Sequence, residues 1–456
     1  MPGKVKTRLA AYLGDDAACE FYRLSLVRVL GAFAAGDATD GPKVVIATAT
    51  AEEQERFAAV FAAAGSVNTG TADTAPLVIL QRDADLGERM AAAFLDVVQE
   101  PESARAVGES THLLLAGTDI PDYSPEIAAR ATELLADHDV VLGPTLDGGY
   151  YCVGIRAELA RDPERLRSLF AGIPWSTPEV LAKQEQQMER AGLRVARLPV
   201  LRDIDEIPDL VAYLKAAGDT EFAQGVRALF PDVREVLPIL NEAENLEFVL
   251  GPIFASGLAR EVICADNGST DGSPELAERL GARVTHCSER GYGVACLPAL
   301  DDIRARGGCD AGLFLSGDGA DDPTWIHKVL GPVTSNRYDL SLGARVPELA
   351  LPGALMAHAR FGNWLITRLV KLLWKFDYKD LGPFRAVRWA AYEQMQMDDR
   401  NYGGTVQMQI RVLQHGLRVI ETPVPYRKRN AGQSKVTASL RGSYLAGKII
   451  FRTLFR

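Results

Sequence analysis

The sequence predicts an α/β protein made of two similar units in tandem, each with a mostly parallel sheet. Three observations carry that prediction. Short apolar runs of β type alternate with amphipathic helical stretches along the chain. Several of those runs end abruptly in Gly and Asp. The alternation relaxes once, near 216–232, and then restarts. A chain of 456 residues leaves room for about two or three domains of ordinary size.

In the first half, 1–215, the strand candidates are KVVIATA (43–49), PLVILQ (76–81), HLLLAGTD (112–119), DVVLGP (139–144) and YYCVGI (150–155). Helical stretches such as EEQERFAAVFAAAG and SPEIAARATELLADH fall between them. A linker is expected over 216–231, where KAAGDTEFAQG leads into FPDVREV. The second half, 232–456, restarts with DVREVLPIL (232–240), EVICADN (261–267), ARVTHC (282–287), AGLFLSGDG (311–319) and DLSLGAR (339–345). In open α/β sheets ligands bind beyond the carboxyl ends of the strands, so Asp119, Asp266 and Asp318 face a ligand site in this reading. A single such Asp is as easily a helix cap; three, each near Gly, favour a site.

Composition narrows the class. Hydrophobic residues make up 47% and charged residues 24%, which excludes a disordered or collagen-like chain. Charges interrupt every apolar run before it reaches about 18 residues, so no membrane-spanning helix is expected. Lys4, Lys6 and Arg8 arrive with no apolar stretch after them, so no secretory signal is expected either. Six cysteines without a C-x-x-C pair read as free thiols of a reducing cytoplasm, and the six scattered histidines form no metal pair.

The net charge is −10, yet 1–231 hold 22 Lys/Arg against 35 Asp/Glu, while 232–456 hold 28 against 25. The last 35 residues carry eight basic side chains and no acidic one. Such a tail points to a phosphate-bearing ligand or an anionic membrane surface rather than to nucleic acid. The stretch HARFGNWLITRLVKLLWKF (358–376) places Arg368, Lys371 and Lys375 on one side among Phe361, Trp364 and several leucines. It suits a helix in a membrane interface and equally a core-packed or dimer helix; a homo-oligomer is compatible with it.

Chemistry concentrates in the second half. VLPILNEAENL precedes VICADNGSTDGS by about 20 residues, and a strand running into Asp-Asn-Gly-Ser-Thr-Asp-Gly offers a carboxylate, a tight turn and hydroxyl donors before a helix. That set can hold a nucleoside while leaving a diphosphate free for a metal. RGYGVA (290–295) reads as a flexible glycine turn. In LFLSGDGADDP (313–323) carboxylates cluster beside small residues, the hard oxygen ligands that a divalent cation prefers. Arg427, Lys428 and Arg429, followed by Gly432, Ser434 and Lys435, suit phosphate oxygens, with no acid nearby in sequence to neutralise them.

These residues resemble the family 2 glycosyltransferases with a GT-A fold, and more narrowly the branch related to polyprenyl-phosphate sugar synthases. The resemblance runs from about 233 to 435. It rests on Pro238, Asn241 and Glu242, on D-N-G-S-T-D from Asp266 through Ser269 to Asp271, and on Gly291 and Gly293. KDLGPFRAVR (379–388), YGGTVQMQIR (402–411) and PVPYRKRNAGQSK (423–435) extend it. It implies a nucleotide-sugar donor held by Asp266 and Glu242, phosphate handling by Asp318 with Mg2+ or Mn2+, and an acceptor side formed by Arg385, Arg427, Arg429, Ser434 and Lys435. A phosphate-monoester acceptor needs no separate base; for a hydroxyl acceptor Asp380 is the candidate. Two departures weaken the expected cation site: the first carboxylate of the family's D-x-D is Ser316, and its usual T-V-E-M-Q acid is Gln407.

The first half opens PGKVKTRLA, where Lys4, Lys6 and Arg8 could wrap nucleotide phosphates. QRDADLGERM (81–90), AGTDIPD (116–122), GPTLDGGYYCVG (143–154) and DIDEIPDL (203–210) follow. Asp119, with Asp147 or Asp205, is the metal candidate. In this order the segments resemble the DUF2064 family, which implies a second GT-A, nucleotidyltransferase-like domain over about 2–212. The family's loop follows an apolar strand, whereas here it begins at Met1, so a mobile phosphate loop is expected.

The leading reading is a cytoplasmic, membrane-peripheral glycosyltransferase acting on a phosphate-bearing lipid. Two others stay open: a sugar-1-phosphate nucleotidyltransferase fused to the transferase that uses its product, and a non-catalytic pair that only binds nucleotide sugar.

Overall fold

The computed structural model describes residues 2–34, 45–48, 77–80, 84–99, 111–289, 291–350, 357–399 and 404–432. Two compact units divide the chain. The first takes the residues up to Lys6 and then Cys19–Phe222; the second takes Thr7–Ala18 and everything from Ala223 onward. The division falls inside the expected 216–231 connection, which is not a bare linker because it carries the helix Glu221–Arg227. The assignment of Thr7–Ala18 to the second unit departs from the expected boundary at 215.

In the first unit, strands β1 (Val45–Thr48) and β2 (Leu77–Leu80) pair in parallel. A separate four-stranded sheet combines β3 (His112–Ala116), β4 (Val140–Pro144), β5 (Tyr150–Arg156) and β6 (Val195–Arg197) in the order β3-β5-β4-β6. Strand β5 runs antiparallel to both its neighbours, and β4 and β6 are parallel. Continuous apolar runs such as VVLGP are needed because both sheet faces are covered. Val140 and Leu142 enter one cluster with Phe94 and Leu166, while Val141 joins Tyr123 and Leu135 on the other side. The turn between β4 and β5 depends on Gly148, whose φ is +91° and whose Cβ, if present, would lie 2.2 Å from the Pro178 carbonyl oxygen.

The second unit is built on one seven-stranded sheet. Its strands are β7 (Val233–Ile239), β8 (Glu261–Asp266), β9 (Arg283–His286), β10 (Ala311–Phe314), β11 (Leu340–Ala350), β12 (Arg385–Arg388) and β13 (Val419–Tyr426), in the order β13-β11-β12-β10-β7-β8-β9. β10, β7, β8 and β9 are successively parallel. β12 inserts antiparallel between β10 and β11, and β13 pairs in parallel with β11. Val236, Ile263 and Ala265 face a core completed by Ala299, Ile303, Val370, Val387 and Met408.

Register brings the chemistry to one edge. Ile239 pairs with Asp266, and Asp266 with His286, so β7, β8 and β9 end level with one another. Glu235, in the middle of β7, is buried with neither carboxylate oxygen hydrogen-bonded; burial alone pushes its carboxyl up to about 8.

The helix Thr7–Leu13 packs against the helix Ile326–Thr334. A Cβ on Gly331 would lie 2.6 Å from the Ala11 carbonyl oxygen, and Thr334 Oγ1 donates to the Tyr12 carbonyl at 2.6 Å. The helix Ala357–Trp374 buries one face and exposes the other. Ile366 and Val370 enter the core, while Phe361, Trp364 and Leu372 stand 62%, 53% and 76% exposed beside exposed Arg368 and Lys371. No helix among the described residues is long and apolar enough to cross a membrane. All six thiols are free.

Candidate functional site

At the expected donor residues two loops lock together beyond β7 and β8. Asn241 adopts a positive φ of 51°, an uncommon conformation that Asn tolerates better than most residues. It turns three successive backbone amides toward the next loop. Asn241 N–H donates to Ser269 Oγ at 2.9 Å, Glu242 N–H to Ser273 Oγ at 2.9 Å, and Ala243 N–H to Asp271 Oδ2 at 3.0 Å. Thr270 N–H returns a bond to Asn241 Oδ1 at 2.8 Å. Asn241, Ser269 and Asp271 therefore hold the backbone of the two loops together. Asp266 is buried at the end of β8 and accepts from Gly268 N–H, Ser269 N–H and His286 Nδ1. Burial raises its proton affinity, but these bonds outweigh it and hold the carboxyl below its ordinary range.

The glycine turn expected at 290–295 is instead a helix start: Gly291 N–H donates to Asn267 Oδ1 at 2.9 Å, and Gly293 lies in the first turn of the helix Tyr292–Ala305. Arg290 lies outside the described residues. Gly317 sits tight under β7, where a Cβ would be 3.1 Å from the Pro238 carbonyl oxygen.

The basic segment lies against the acidic one. Arg427 N–H donates to the Ala320 carbonyl at 3.0 Å and Asn430 N–H to the Asp318 carbonyl at 3.3 Å, with a bridge between Asp321 and Tyr426. This overturns the expectation of un-neutralised cations. Arg429 reaches Glu242 and Asp318, the latter at 3.4 Å, and Arg427 pairs with Asp322 and covers the Phe248 ring. The neutralising acids are 105 and more positions away in sequence, which is why no local pattern revealed them. Lys428 is exposed; Ser434 and Lys435 lie outside the described residues.

Two further expectations need correction. Arg385 is buried and spends its guanidinium on the carbonyls of Gly382, Pro383 and Thr405, so it braces a loop rather than facing a phosphate. Asp380 is buried in a bidentate pair with Arg345, at 2.6 and 2.7 Å, and also accepts Arg345 N–H at 3.0 Å. Its oxygens are thus committed to holding Arg345. Arg345 in turn lies over the Tyr426 ring. Gln407 accepts from the amides of Asp398 and Asp399 at 3.1 and 2.9 Å, a loop-holding role.

Sequence reasoning missed Asn245, His286 and Arg345. Asn245 donates to Glu242 Oε2 at 2.6 Å and accepts Ala431 N–H at 2.9 Å, joining the donor and basic segments. The second Asn of NEAEN, one helical turn from Glu242, was the available signal.

In the first unit Lys6 does not wrap a phosphate. It is 8% exposed and donates to Asp119 at 3.1 Å, to Asp205 at 2.9 Å and to the Ile204 carbonyl at 2.6 Å. Burial disfavours its charge, but the two acids more than compensate and raise its pKa. Its ammonium already serves Asp119 as counter-ion where a metal was expected, and it fixes the loop that was expected to be mobile. Asp147 accepts from Thr145 Oγ1 and Gly149 N–H in its own turn. Asp203, which sequence reasoning passed over, is pushed to about 6 by burial and by Asp147, Asp205 and Asp119. Lys4 and Arg8 are exposed, and Arg8 belongs to the second unit.

Comparisons with known proteins match both halves. Residues 32–177 match the family described as "Uncharacterized protein conserved in bacteria (DUF2064)", and residues 236–386 match "Glycosyl transferase family 2". Glycosyltransferase AglJ of Haloferax volcanii is 33% identical over 229 residues, spanning 50% of this chain and 72% of the relative. Polyprenol monophosphomannose synthase of Mycolicibacterium smegmatis is 26% identical over 45% of this chain and 80% of its own. A solved structure, a putative nucleotide-diphospho-sugar transferase from Desulfovibrio desulfuricans, is 30% identical over 50% of this chain and 88% of that one, with a TM-score of 0.40.

Proposed function

The chain belongs to the family 2 glycosyltransferases through its second half and carries a DUF2064 domain in its first; from that premise we propose that the second half transfers a sugar from a nucleotide-sugar donor to a phosphate-bearing lipid. The observation that carries the reading is the cluster of Glu242, Arg429 and Asp318 beyond the carboxyl end of β7, beside the strand β8 that ends in Asp266. Asp266 accepts N–H groups already and would accept one from a nucleobase. Asn241, Ser269 and Asp271 hold the two loops together, so little order has to be bought on binding.

A divalent cation fits the acidic side, where Asp318 stands next to the buried, unpartnered Oδ1 of Asp321. Asp318 would hold the cation, which supplies charge neutralisation for the leaving diphosphate. Arg429 is then free to turn from Asp318 to phosphate oxygens, which suit its fork.

Three features support a lipid phosphate as acceptor. The relative from Mycolicibacterium smegmatis is named for a polyprenol monophosphate product. The exposed apolar and basic face of Ala357–Trp374 suits an anionic membrane surface. Asn363 of that helix bonds to Lys379 and Leu381, on either side of Asp380, so the helix is tied to the loop that carries Asp380. A phosphate monoester is already ionised and attacks without a general base, in keeping with an Asp380 committed to Arg345.

The test is transfer from a nucleotide-sugar panel, with Mn2+, to polyprenyl phosphate in anionic vesicles and to polyprenol lacking the phosphate. The reading expects a sugar phosphodiester from the first alone. Transfer to polyprenol, or to neither, would overturn it.

A further inference from the structure

Position 316 lacks the carboxylate that the family pattern places there, yet the structure brings another against its backbone. Asp321 is 2% exposed. Its Oδ2 accepts the backbone N–H of Ser316 at 3.3 Å, so its carboxylate lies under the residue that lost the acid. Its Oδ1 is buried with no hydrogen-bond partner, an arrangement that costs free energy unless something completes it.

The neighbouring acids are already engaged. Asp322 accepts from Thr324 N–H and Thr324 Oγ1 and pairs with Arg427. Asp380 is held by Arg345. Asp318 is close enough for its charge, after burial, to be the next largest influence raising the proton affinity of Asp321. Among the described residues, Asp318 and Asp321 alone combine proximity with an oxygen that is weakly engaged or bare: Asp318 Oδ1 accepts Ala320 N–H at 3.1 Å while its Oδ2 meets Arg429 only at 3.4 Å, and Asp321 Oδ1 has no partner.

We infer that Asp321 provides the second carboxylate of the divalent-cation site, replacing the one missing at Ser316 and acting with Asp318. The inference rests on the glycosyl-transfer reading for the presence of a cation, but it concerns only which oxygens bind. A hard-oxygen pair of this kind suits Mg2+ or Mn2+ completed by water or diphosphate oxygens. The strand-end acid of the D-x-D has in effect moved five positions along the chain, to a residue that the Ser316–Asp322 loop folds back beneath its old location.

The experiment is Mn2+ titration of the full chain, following free Mn2+ by electron paramagnetic resonance without any donor. Asp321→Asn is expected to weaken Mn2+ binding at least tenfold, within the range of about 10- to 100-fold seen when the groups around a metal are removed. The exchange Ser316→Asp with Asp321→Ser moves the carboxylate back to position 316 and is expected to keep affinity within about threefold of the parent, a rescue that a merely structural role for Asp321 would not produce. Parent-like binding by Asp321→Asn overturns the inference, as does loss of binding in an exchanged protein that still unfolds cooperatively. If Asp321→Asn does not fold, the exchange alone decides, and an exchange that also fails to fold counts against the proposal because the acid is then needed for structure. Failure of the transfer reading shows elsewhere, as absence of nucleotide-sugar binding by the unaltered chain.

Discussion

Each unit sets a basic side chain between acids distant in sequence, and the two arrangements differ in completeness. In the first unit the Lys6 ammonium has three acceptors, all within 3.1 Å, on Asp119, Asp205 and Ile204. In the second, Arg429 binds Glu242 closely but reaches Asp318 only at 3.4 Å, and Asp321 beside it keeps a bare oxygen. A lysine with every donor used needs no ligand to hold its loop. An arginine with one weak arm beside an unsatisfied acid leaves a polar demand that a cation and a phosphate can meet. The contrast teaches that similar charge patterns in two related sheets can mark a closed brace in one and an open binding site in the other.

The sharpest way to break that contrast is to remove each cation in turn and measure transfer to lipid phosphate. A charge-assisted hydrogen bond from arginine to phosphate is worth about 1.5–3 kcal/mol, so Arg429→Ala should slow turnover by about 10- to 150-fold. Arg429→Lys should recover only part, because lysine lacks the fork. Lys6→Ala should lower the melting temperature of the first unit while leaving transfer within about twofold. Equal losses of transfer in both variants would remove the distinction.

A second comparison concerns packing. Gly331 admits the Ala11 backbone, whereas Gly251, in the helix Ala243–Ser256, has open space around its missing Cβ. Gly331→Leu should destabilise the second unit by about 1–3 kcal/mol through overpacking, read as a lower urea midpoint. Gly251→Ala should do the opposite by up to about 1 kcal/mol, since alanine costs less than glycine in a helix.

The pH response separates buried acids by sign. The Glu235 carboxyl is raised from 4.5 to about 8, so the folded chain binds its proton more tightly than the unfolded chain does. Its contribution is full below about pH 4.5 and is lost as pH rises toward 8. Asp339 is the reverse. Burial opposes its ionisation, but the partners Arg418 and Arg388 prevail and lower it from 3.8 to about 2, so its contribution is lost as pH falls below 3.8. Urea midpoints from pH 5 to 8 should therefore drop less in Glu235→Gln than in the parent, by a margin of about 1.4 kcal/mol for each pH unit between them. An unchanged slope would place the pH response elsewhere.

Much of this architecture was legible in the sequence because strand cores and strand-end acids are local signals. The runs at 140–144, 233–239 and 261–266 are strands, Asp266 is the last residue of β8, and Asp119 and Asp318 lie just beyond the ends of β3 and β10. The motif KDLGPFRAVR carries the family resemblance and PVPYRKRN the basic charge, yet each also carries part of a strand, β12 and β13, whose mixed polarity hides the period-two pattern. The ion pairs were not legible. Arg429 meets Glu242 across 187 positions and Lys6 meets Asp205 across 199, so their pairing exists only once the sheets have formed. The same reason hid the attachment of Thr7–Leu13 to the second unit.

In the proposed function the second unit holds the donor without help from the first. Equilibrium binding of a nucleotide-sugar panel with Mn2+ to the full chain tests it most directly, comparing the parent with Asp318→Ala and Asp119→Ala. The account predicts that Asp318→Ala abolishes Mn2+-dependent binding of the nucleotide sugar that the parent transfers to lipid phosphate, while Asp119→Ala leaves it within about twofold. Retained binding of that donor in Asp318→Ala, or its loss in Asp119→Ala, would contradict the account.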